Sequence, residues 1–397
     1  MRALVGLAVL VLAGTAAFLW FSGSDRAEFP EAVQDEAEPA PIEPLRSAGR
    51  RAILPLRTET PVSAAAGVDV RWAETNREAI AALDRGDLEQ AVLLFERCRA
   101  AVPGEPVFAR NLAEALARLA VRQDESGGPE ERARAVEHLA RAAELAPERE
   151  DIARRLEQMR RLASSEEGFM VENSEHFELS YDGARTDILW STFDIVKPLE
   201  NAYQDFGELF GRWPVESGRP RIRVVLYRKT GFHEATGMGH WAGGVFDGSV
   251  RVPVEDLGRE KETLERVLRH EVAHAFVRET GGNQVPGWLN EGLAQWLEAR
   301  TLVDRAREIE EARAKLAGKT LIPLDELESS LSAIQGDEAV AQAYAQSLAL
   351  CAWIERNFGE RLLFDMVAAS RTKGGAREVF RKKTGLEVEA GWAEIVR

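Results

Sequence analysis

The stretch HEVAHAFVRETGGNQVPGWLNEGLAQW, residues 270–296, constrains this sequence more than any other. His270 and His274 stand four residues apart, so a helix places both imidazoles on one face. Glu271 is turned by about 100° from His270 around that helix, and Glu291 follows in the next apolar segment. Two imidazoles and one carboxylate, with a fourth position left open to water, are a typical catalytic zinc site. The spacing therefore predicts that the two histidines and Glu291 bind Zn2+, with Glu271 beside them as the general base.

The segments around this motif follow helical spacing. Residues 258–277 carry apolar side chains at positions that share one helical face, namely Leu264, Val267, Leu268, Val272, Ala273 and Phe276. The pattern predicts a helix over 259–279 that ends at Gly281 and Gly282. A second helix, joined by a short loop, would bring Glu291 to the histidine pair. The alternative is a helix with two surface histidines, in which Glu291 is a first-turn acid favoured by the helix dipole.

The sequence HEVAH followed by WLNEGLA resembles the gluzincin metallopeptidases, the peptidase MA-like group, in which the third ligand is the glutamate of an NEG motif. The resemblance covers residues 168–397 and implies a zincin-like metallopeptidase domain. Carried over by position, it gives His270, His274 and Glu291 as the metal ligands. It gives Glu271 as the general base of peptide hydrolysis.

Two further positions follow from the same resemblance. Tyr344 lies in the later segment QAYAQSLAL, where related sequences often carry a tyrosine. The resemblance implies that Tyr344 donates to the oxyanion formed during hydrolysis; a core or surface tyrosine is the alternative. Gln295 stands four residues after Glu291, where some members carry an aspartate that orients a ligand histidine. A glutamine can accept that N–H bond, but it cannot raise the basicity of the ligand as a carboxylate would.

Composition excludes one class of function. The chain has 397 residues and a net charge of −15, and no basic stripe of the kind that binds phosphate backbones, so nucleic-acid binding is not expected. The two cysteines, Cys98 and Cys351, cannot build a disulfide framework. Both lie among apolar helical positions, and we expect two buried thiols.

The first 66 residues predict an exported chain that is tethered to a membrane. After Met1 and Arg2, the run Ala3–Phe21 contains no charged residue and is about as long as a helix that crosses a bilayer. We interpret 1–21 as an uncleaved signal anchor; a cleaved signal peptide, which would give a secreted protein, is the alternative. Residues 22–66 are acidic and rich in proline, which predicts a disordered linker. The expected location is extracytoplasmic, in the periplasm or at the cell surface.

Residues 70–165 are predicted to form a helical repeat domain, capped by a helix at 148–163. The segments 87–102 and 131–147 share a pattern at an offset of 44 residues, which aligns Ala91 with Ala135, Phe95 with Leu139, and Pro103 with Pro147. The pattern resembles the second helix of a tetratricopeptide unit, whose length is about 34 residues, so we place an insertion around the loop at 124–131. Such a stack usually binds a protein or peptide partner; a plain helical bundle and a spacer are the alternatives.

The region before the zinc motif predicts mixed α/β structure. Apolar and alternating patterns predict strands at 176–181, 221–227 and 249–254. Pro253 predicts that the third of these is an edge strand, because proline cannot donate to a ladder, and an extended peptide substrate could pair with it. His240, in the glycine-rich loop before that strand, is either a substrate contact or a solvated histidine.

These patterns together predict an α+β protein. A helical repeat domain is followed by a zincin-like domain with a small mixed sheet and a mainly helical C-terminal part. The leading hypothesis is a membrane-tethered, extracytoplasmic zinc peptidase. The alternative is a catalytically inactive, peptidase-like scaffold that binds a partner through its repeats. A third hypothesis is a peptidase that cuts one protein partner delivered by those repeats.

Overall fold

The structure is a computed structural model that describes residues 69–396, apart from 127, 216–219, 239–242, 301, 303–304, 330 and 332–333. The predicted signal anchor at 1–21, the predicted linker at 22–66 and His240 lie outside the described residues. Among the residues that are described, no helix combines the length and the apolar character needed to cross a bilayer.

The N-terminal part of the described chain consists of helices. They are α1 (Val70–Asp84), α2 (Leu88–Ala101), α3 (Pro106–Ser126), α4 (Pro129–Leu145) and α5 (Glu150–Ser165). Each helix packs on the next one along the chain. The helical segments predicted at 87–102, 131–147 and 148–163 are present as α2, α4 and α5. Aligned residues of α2 and α4, Ala91 with Ala135 and Phe95 with Leu139, are buried in one shared apolar core.

The loop predicted at 124–131 is much shorter than expected. Helix α3 has 21 residues, against 15 in α1, and α4 begins soon after it. Contacts with neighbouring helices hold the extra turn of α3. Gln123 lies 2.8 Å from Nδ1 of His138, and Arg155 donates to Asp124 across 2.8 Å. The inserted residues therefore extend a helix and do not form a long loop.

A small mixed sheet follows. Its strands are β1 (Phe169–Asn173), β2 (Phe177–Asp182), β3 (Ile222–Tyr227), β4 (Val245–Phe246) and β5 (Val250–Pro253). Their order across the sheet is β1-β2-β3-β5-β4. The pairs β2–β3 and β3–β5 are parallel, and the outer pairs β1–β2 and β4–β5 are antiparallel. The three predicted strands are confirmed as β2, β3 and β5, whereas β1 and β4 were not predicted.

The prediction that the strand containing Pro253 is an edge strand was wrong. Strand β5 lies between β3 and β4, and β4 takes the edge. The physical reason lies in the register, because β4 pairs only with Val250 and Arg251. Pro253 lies beyond the end of β4 and is opposite Tyr227 of β3, so its missing N–H removes no bond to β4.

The remaining chain is mainly helical. Its α-helices are α6 (Thr186–Leu189), α7 (Thr192–Phe210), α8 (Lys229–Thr236), α9 (Leu257–Gly281), α10 (Gly287–Ala299), α11 (Arg305–Leu316), α12 (Asp337–Phe358), α13 (Arg361–Ala369), α14 (Gly375–Thr384) and α15 (Trp392–Ile395). The described protein is therefore mostly helical with one small mixed sheet, which is an α+β architecture. Cys98 and Cys351 are both free and buried, as predicted.

Helices cover both faces of the sheet. Helices α7 and α9 pack against one face, and α5 and α8 pack against the other. Helix α10 packs on α9, and α12 packs on α10. The apolar core between these helices includes Phe276, Trp288 and Trp296, which are fully buried. This packing fixes α9, α10 and α12 relative to one another, and all three contribute to the site described next.

Candidate metal centre

Helix α9 carries both histidines of the motif. It begins after Asp256, whose side chain accepts a bond from the N–H of Arg259. It ends at Gly282, which has a φ of 67°, a value that glycine adopts without strain. The rings of His270 and His274 lie on the same face, with their centroids 5.0 Å apart and their planes at 82°.

Helix α10 brings a carboxylate to this pair. Nε2 of His270 and Nε2 of His274 each lie 3.6 Å from Oε2 of Glu291. One nitrogen of each histidine and one carboxylate oxygen fall within 4.8 Å of one another. His274 and Glu291 are buried, so the three atoms converge in a sheltered position. The structure thus brings together the three residues that the sequence predicted as metal ligands.

The other nitrogen of each imidazole is already engaged. Nδ1 of His270 lies 3.2 Å from Oε2 of Glu298, and Nδ1 of His274 lies 3.1 Å from Oδ1 of Asn290. The Asn290 amide also donates to Oε1 of Glu291 across 3.1 Å. Because both Nδ1 atoms face oxygen acceptors, they carry the ring hydrogen in the neutral form, and both Nε2 lone pairs face Glu291. Two imidazole nitrogens and one carboxylate oxygen held in this way fit a zinc ion.

Gln295 does not contact either histidine, contrary to the position-based expectation. Its amide instead donates to the backbone oxygens of Tyr344 and Glu291, across 3.0 and 3.3 Å. Glu298, seven residues after Glu291 and therefore on the same helical face, contacts His270. Sequence reasoning missed Glu298, although its spacing of two turns was a usable signal. The chain thus has a carboxylate partner for one ligand histidine, but from a different position.

Glu298 is held in turn by an arginine. Nε of Arg266, one turn before His270 on α9, donates to Oε1 of Glu298 across 2.8 Å. Arg266 also contacts Oε1 of Glu308 across 3.3 Å. Glu298 is almost fully buried, so its two oxygens are divided between a histidine and an arginine. This arrangement fixes the orientation of His270.

Glu271 lies beside the ligands and is buried. Burial raises its pKa to about 8, the charges of Glu291 and Glu298 act in the same direction, and His270 opposes them. A side chain at Gly244 would meet Glu271, because a Cβ there would lie 2.8 Å from Oε1 of Glu271. The backbone just before β4 therefore forms one wall of the position that Glu271 occupies. A carboxylate with a raised pKa is well suited to accept a proton near neutral pH.

Tyr344 of α12 lies close enough to the centre to interact with its carboxylates. Burial raises its pKa well above the ordinary value, and the Glu291 and Glu271 charges and a hydrogen bond with Glu291 raise it further. Its hydroxyl is therefore protonated and can donate a hydrogen bond. The structure therefore places the five predicted site residues in one region, namely His270, Glu271, His274, Glu291 and Tyr344. His240, the remaining candidate, lies outside the described residues.

A glycine of the motif determines how closely α12 approaches. A Cβ on Gly292 would lie 2.3 Å from the backbone oxygen of Ser347 and 2.7 Å from Sγ of Cys351. Only a residue without a side chain allows this contact between α10 and α12. Gly292 directly follows Glu291 and the contact lies one turn from Tyr344, so it helps to bring the hydroxyl and the carboxylate together.

Comparisons with known proteins do not extend these observations. No protein-family model matches the chain, and no curated protein matches it. The assignment of this centre therefore rests on its geometry and on the chemistry of its side chains.

Proposed function

We propose that this chain is a zinc-dependent peptidase of the gluzincin type, with a zincin-like domain over 168–397. The observation that supports the proposal is the convergence of the His270, His274 and Glu291 donor atoms within 4.8 Å. Glu271 and Tyr344 lie beside that convergence. The helical segment 70–165 would be its repeat domain. This assignment is supported by the aligned positions of α2 and α4, since Ala91 and Ala135, and likewise Phe95 and Leu139, are buried in the same core.

The ligands would hold the ion through Nε2 of each histidine and a carboxylate oxygen of Glu291. Zinc in such a site supplies Lewis acidity, which lowers the pKa of water and polarises a carbonyl oxygen. Glu298 and Asn290 keep the imidazoles in the orientation and tautomer that binding needs. The charges favour a cation, because Glu271 and Glu291 face two imidazoles that are neutral in the metal-binding form, whereas Glu298 is already paired with Arg266.

The chain's own groups would move the protons. A carboxylate oxygen of Glu271 accepts a proton from the attacking water and later passes it to the nitrogen of the leaving amine. The Tyr344 hydroxyl donates to the oxygen of the scissile carbonyl as negative charge develops there. Burial of Glu271 and Glu291 keeps solvent away from these transfers.

The sheet edge next to Glu271 suggests how a substrate would be held. Among the described residues, β4 pairs with β5 alone, so its other side faces away from the sheet. Gly244 immediately precedes β4 and touches Glu271. An extended peptide that pairs with β4 would therefore pass next to the base. The substrate class that this arrangement supports is an extended protein or peptide segment.

The cellular setting is also a proposal. The charge-free run Ala3–Phe21 supports a membrane-tethered, extracytoplasmic enzyme. A stack of helices such as α1–α5 is suited to bind a protein partner. One motive for the alternative, a catalytically inactive scaffold, is that Gln295 stands where some gluzincins carry an aspartate that orients a ligand histidine. Because Glu298 contacts His270 in its place, that motive is weaker than the sequence suggested.

Metal content tests the proposal directly. Purified protein should contain about one zinc per chain by elemental analysis, and a variant with both His270→Ala and His274→Ala should contain none. His138→Ala is the matched control, because His138 lies on α4 with Gln123 as its partner and should leave zinc unchanged. A parent protein that takes up no zinc after reconstitution would overturn the proposal, and the scaffold hypothesis would then be preferred.

A further inference from the structure

One face of the sheet is turned away from α9. This face is covered by α5, the last helix of the segment 70–165. Successive side chains of a strand point to opposite faces. In β3, Val224 and Leu226 belong to the core that contains α9, whereas Val225 and Tyr227 pack with Leu162 of α5. Val245 of β4 packs against the same α5-side cluster. The N-terminal helices therefore support the strand that borders Glu271.

Four charged side chains on this face are at most 13% exposed, and we call Glu166, Arg223, Asp247 and Arg251 the interface ion cluster. Arg251 is 2% exposed, and its Nη1 donates to Oε1 of Glu166 across 2.6 Å. Its Nε lies 3.1 Å from Oδ2 of Asp247. Arg223 and the Tyr227 hydroxyl also donate to Glu166. Glu166 directly follows α5, whereas Arg223 and Arg251 lie on strands and Asp247 lies in the turn between β4 and β5, so the cluster joins the helical segment to the sheet.

The cluster is connected to the candidate metal centre through β4. Arg251 is the register partner of Val245 in β4. Asp247 lies in the turn between β4 and β5, where its Oδ1 also accepts the N–H of Ser249 across 3.2 Å. The residue before Val245 is Gly244, which lies so close to Glu271 that a Cβ there would be 2.8 Å from Oε1 of Glu271. A displacement of this turn would therefore move the wall beside the proposed base.

We propose that Asp247 and Arg251 are positioning residues that hold β4 beside Glu271, and that α5 fixes them through Glu166. The helical segment then stabilises the candidate metal centre itself, in addition to any role in binding a partner. Where the readout is hydrolysis, this inference rests on the proposed peptidase function. Hydrogen exchange can show whether Asp247 and Arg251 hold β4 in place, whether or not the chain is a peptidase.

Burial makes the cluster sensitive to the loss of one member. The pKa of Glu166 is lowered to about 2, since the charges of Arg251 and Arg223 outweigh the effect of burial. The pKa of Asp247 is lowered in the same way by Arg251 and Arg155. Removing one carboxylate would leave Arg251 buried with less compensating charge. We expect the turn at Asp247 to be displaced first, because the strand before it, β4, is only two residues long.

The test is Asp247→Ala in the full chain, followed by hydrogen exchange over residues 243–251. Arg132→Met is the matched control. Arg132 of α4 bonds Glu178 of β2 across 3.2 Å, and both side chains are buried to a similar degree as Asp247. Glu178 also pairs with Arg223, so this control removes a charge at the α4 side of the cluster and leaves the ion pairs of Asp247 and Arg251 in place. Asp247→Asn is the milder second variant, since an asparagine keeps an acceptor for Ser249 and loses only the charge.

We expect exchange over 243–251 to accelerate at least about tenfold in the Asp247 variants and not in Arg132→Met. Zinc content should stay that of the parent, and kcat for a peptide should fall about tenfold with little change in KM. Equal exchange over 243–251 in parent, Asp247 variants and control would overturn the inference. If the parent hydrolyses no peptide, the peptidase proposal fails, whereas the exchange result still decides whether Asp247 holds β4.

Discussion

Two buried groups of charged residues in this molecule differ in how their carboxylates are neutralised. In the interface ion cluster, Glu166 and Asp247 face Arg223 and Arg251, so acids and bases are equal in number. The pKa of Glu166 and that of Asp247 are both lowered. These carboxylates are stabilised in their charged form by cations that the chain itself provides.

The candidate metal centre is not balanced in this way. Glu298 is paired with Arg266, but among the described residues the possible cations that Glu271 and Glu291 face are the two imidazoles. The pKa of Glu271 is raised to about 8. Burial alone would lower the pKa of His270, but Glu291 and Glu298 raise it well above the ordinary value. The centre thus favours positive charge, which agrees with the proposed metal ion, whereas the carboxylates of the interface ion cluster are neutralised by its own arginines.

The strongest test of this contrast is Glu271→Gln. The variant removes the carboxylate with the raised pKa and leaves the three ligands in place. We expect kcat for peptide hydrolysis to fall about 10³-fold, because general-base catalysis is lost, with the zinc content unchanged. Glu262→Gln, an exposed acid on the same helix, is the control. Unchanged turnover in Glu271→Gln would refute the assignment of the base.

Tyr344→Phe tests whether the hydroxyl next to Glu291 acts on the reaction. Loss of an oxyanion donor should lower kcat by about 10²-fold, with KM little changed. Tyr181→Phe is the control, since Tyr181 is buried and its hydroxyl also donates to a carboxylate, that of Glu172, but it lies on β2. If both variants lose the same activity, the effect comes from packing and Tyr344 is not a catalytic residue.

Acid should destabilise the interface ion cluster. Glu166 has a pKa of about 2 in the folded chain against 4.5 ordinarily, so it stabilises the fold fully above pH 4.5. That contribution, on the order of 3 kcal/mol, is lost as the pH falls toward 2. Urea unfolding of metal-free protein at pH 5 and pH 3 measures it, and Glu166→Gln should flatten the dependence. An equally steep dependence in this variant would assign the acid sensitivity to other groups.

Much of the centre could be predicted because it is local in the chain. His270, Glu271, His274 and Glu291 lie on two consecutive helices, and helical spacing sets the direction of each side chain. The helix over 259–279 was predicted nearly to its ends for the same reason.

The parts that were missed depend on distant contacts. Gly244 reaches Glu271 only because β4 folds onto the edge of the sheet, and a strand of two residues has no pattern to recognise. Arg251 and Glu166 are 85 residues apart in sequence. Each alone resembles a solvated surface charge, and only the packing of α5 on the sheet makes them a buried pair.

The smallest effect in this series concerns Glu298, whose carboxylate contacts both the proposed ligand His270 and the guanidinium of Arg266. Glu298→Gln keeps an acceptor for Nδ1 of His270 but removes the charge that faces Arg266. Loss of such a partner should weaken zinc binding about 10- to 100-fold, measured by competition with a chelator.

The control for this prediction is Glu308→Gln, because Glu308 contacts the same arginine across 3.3 Å and does not contact His270. If the two variants bind zinc equally well, the charge of Glu298 does not act through the histidine. If only Glu298→Gln loses affinity, the ligand His270 depends on its carboxylate partner. The two charged groups would then differ at the level of single residues, since Glu166 stabilises the folded state and Glu298 strengthens metal binding.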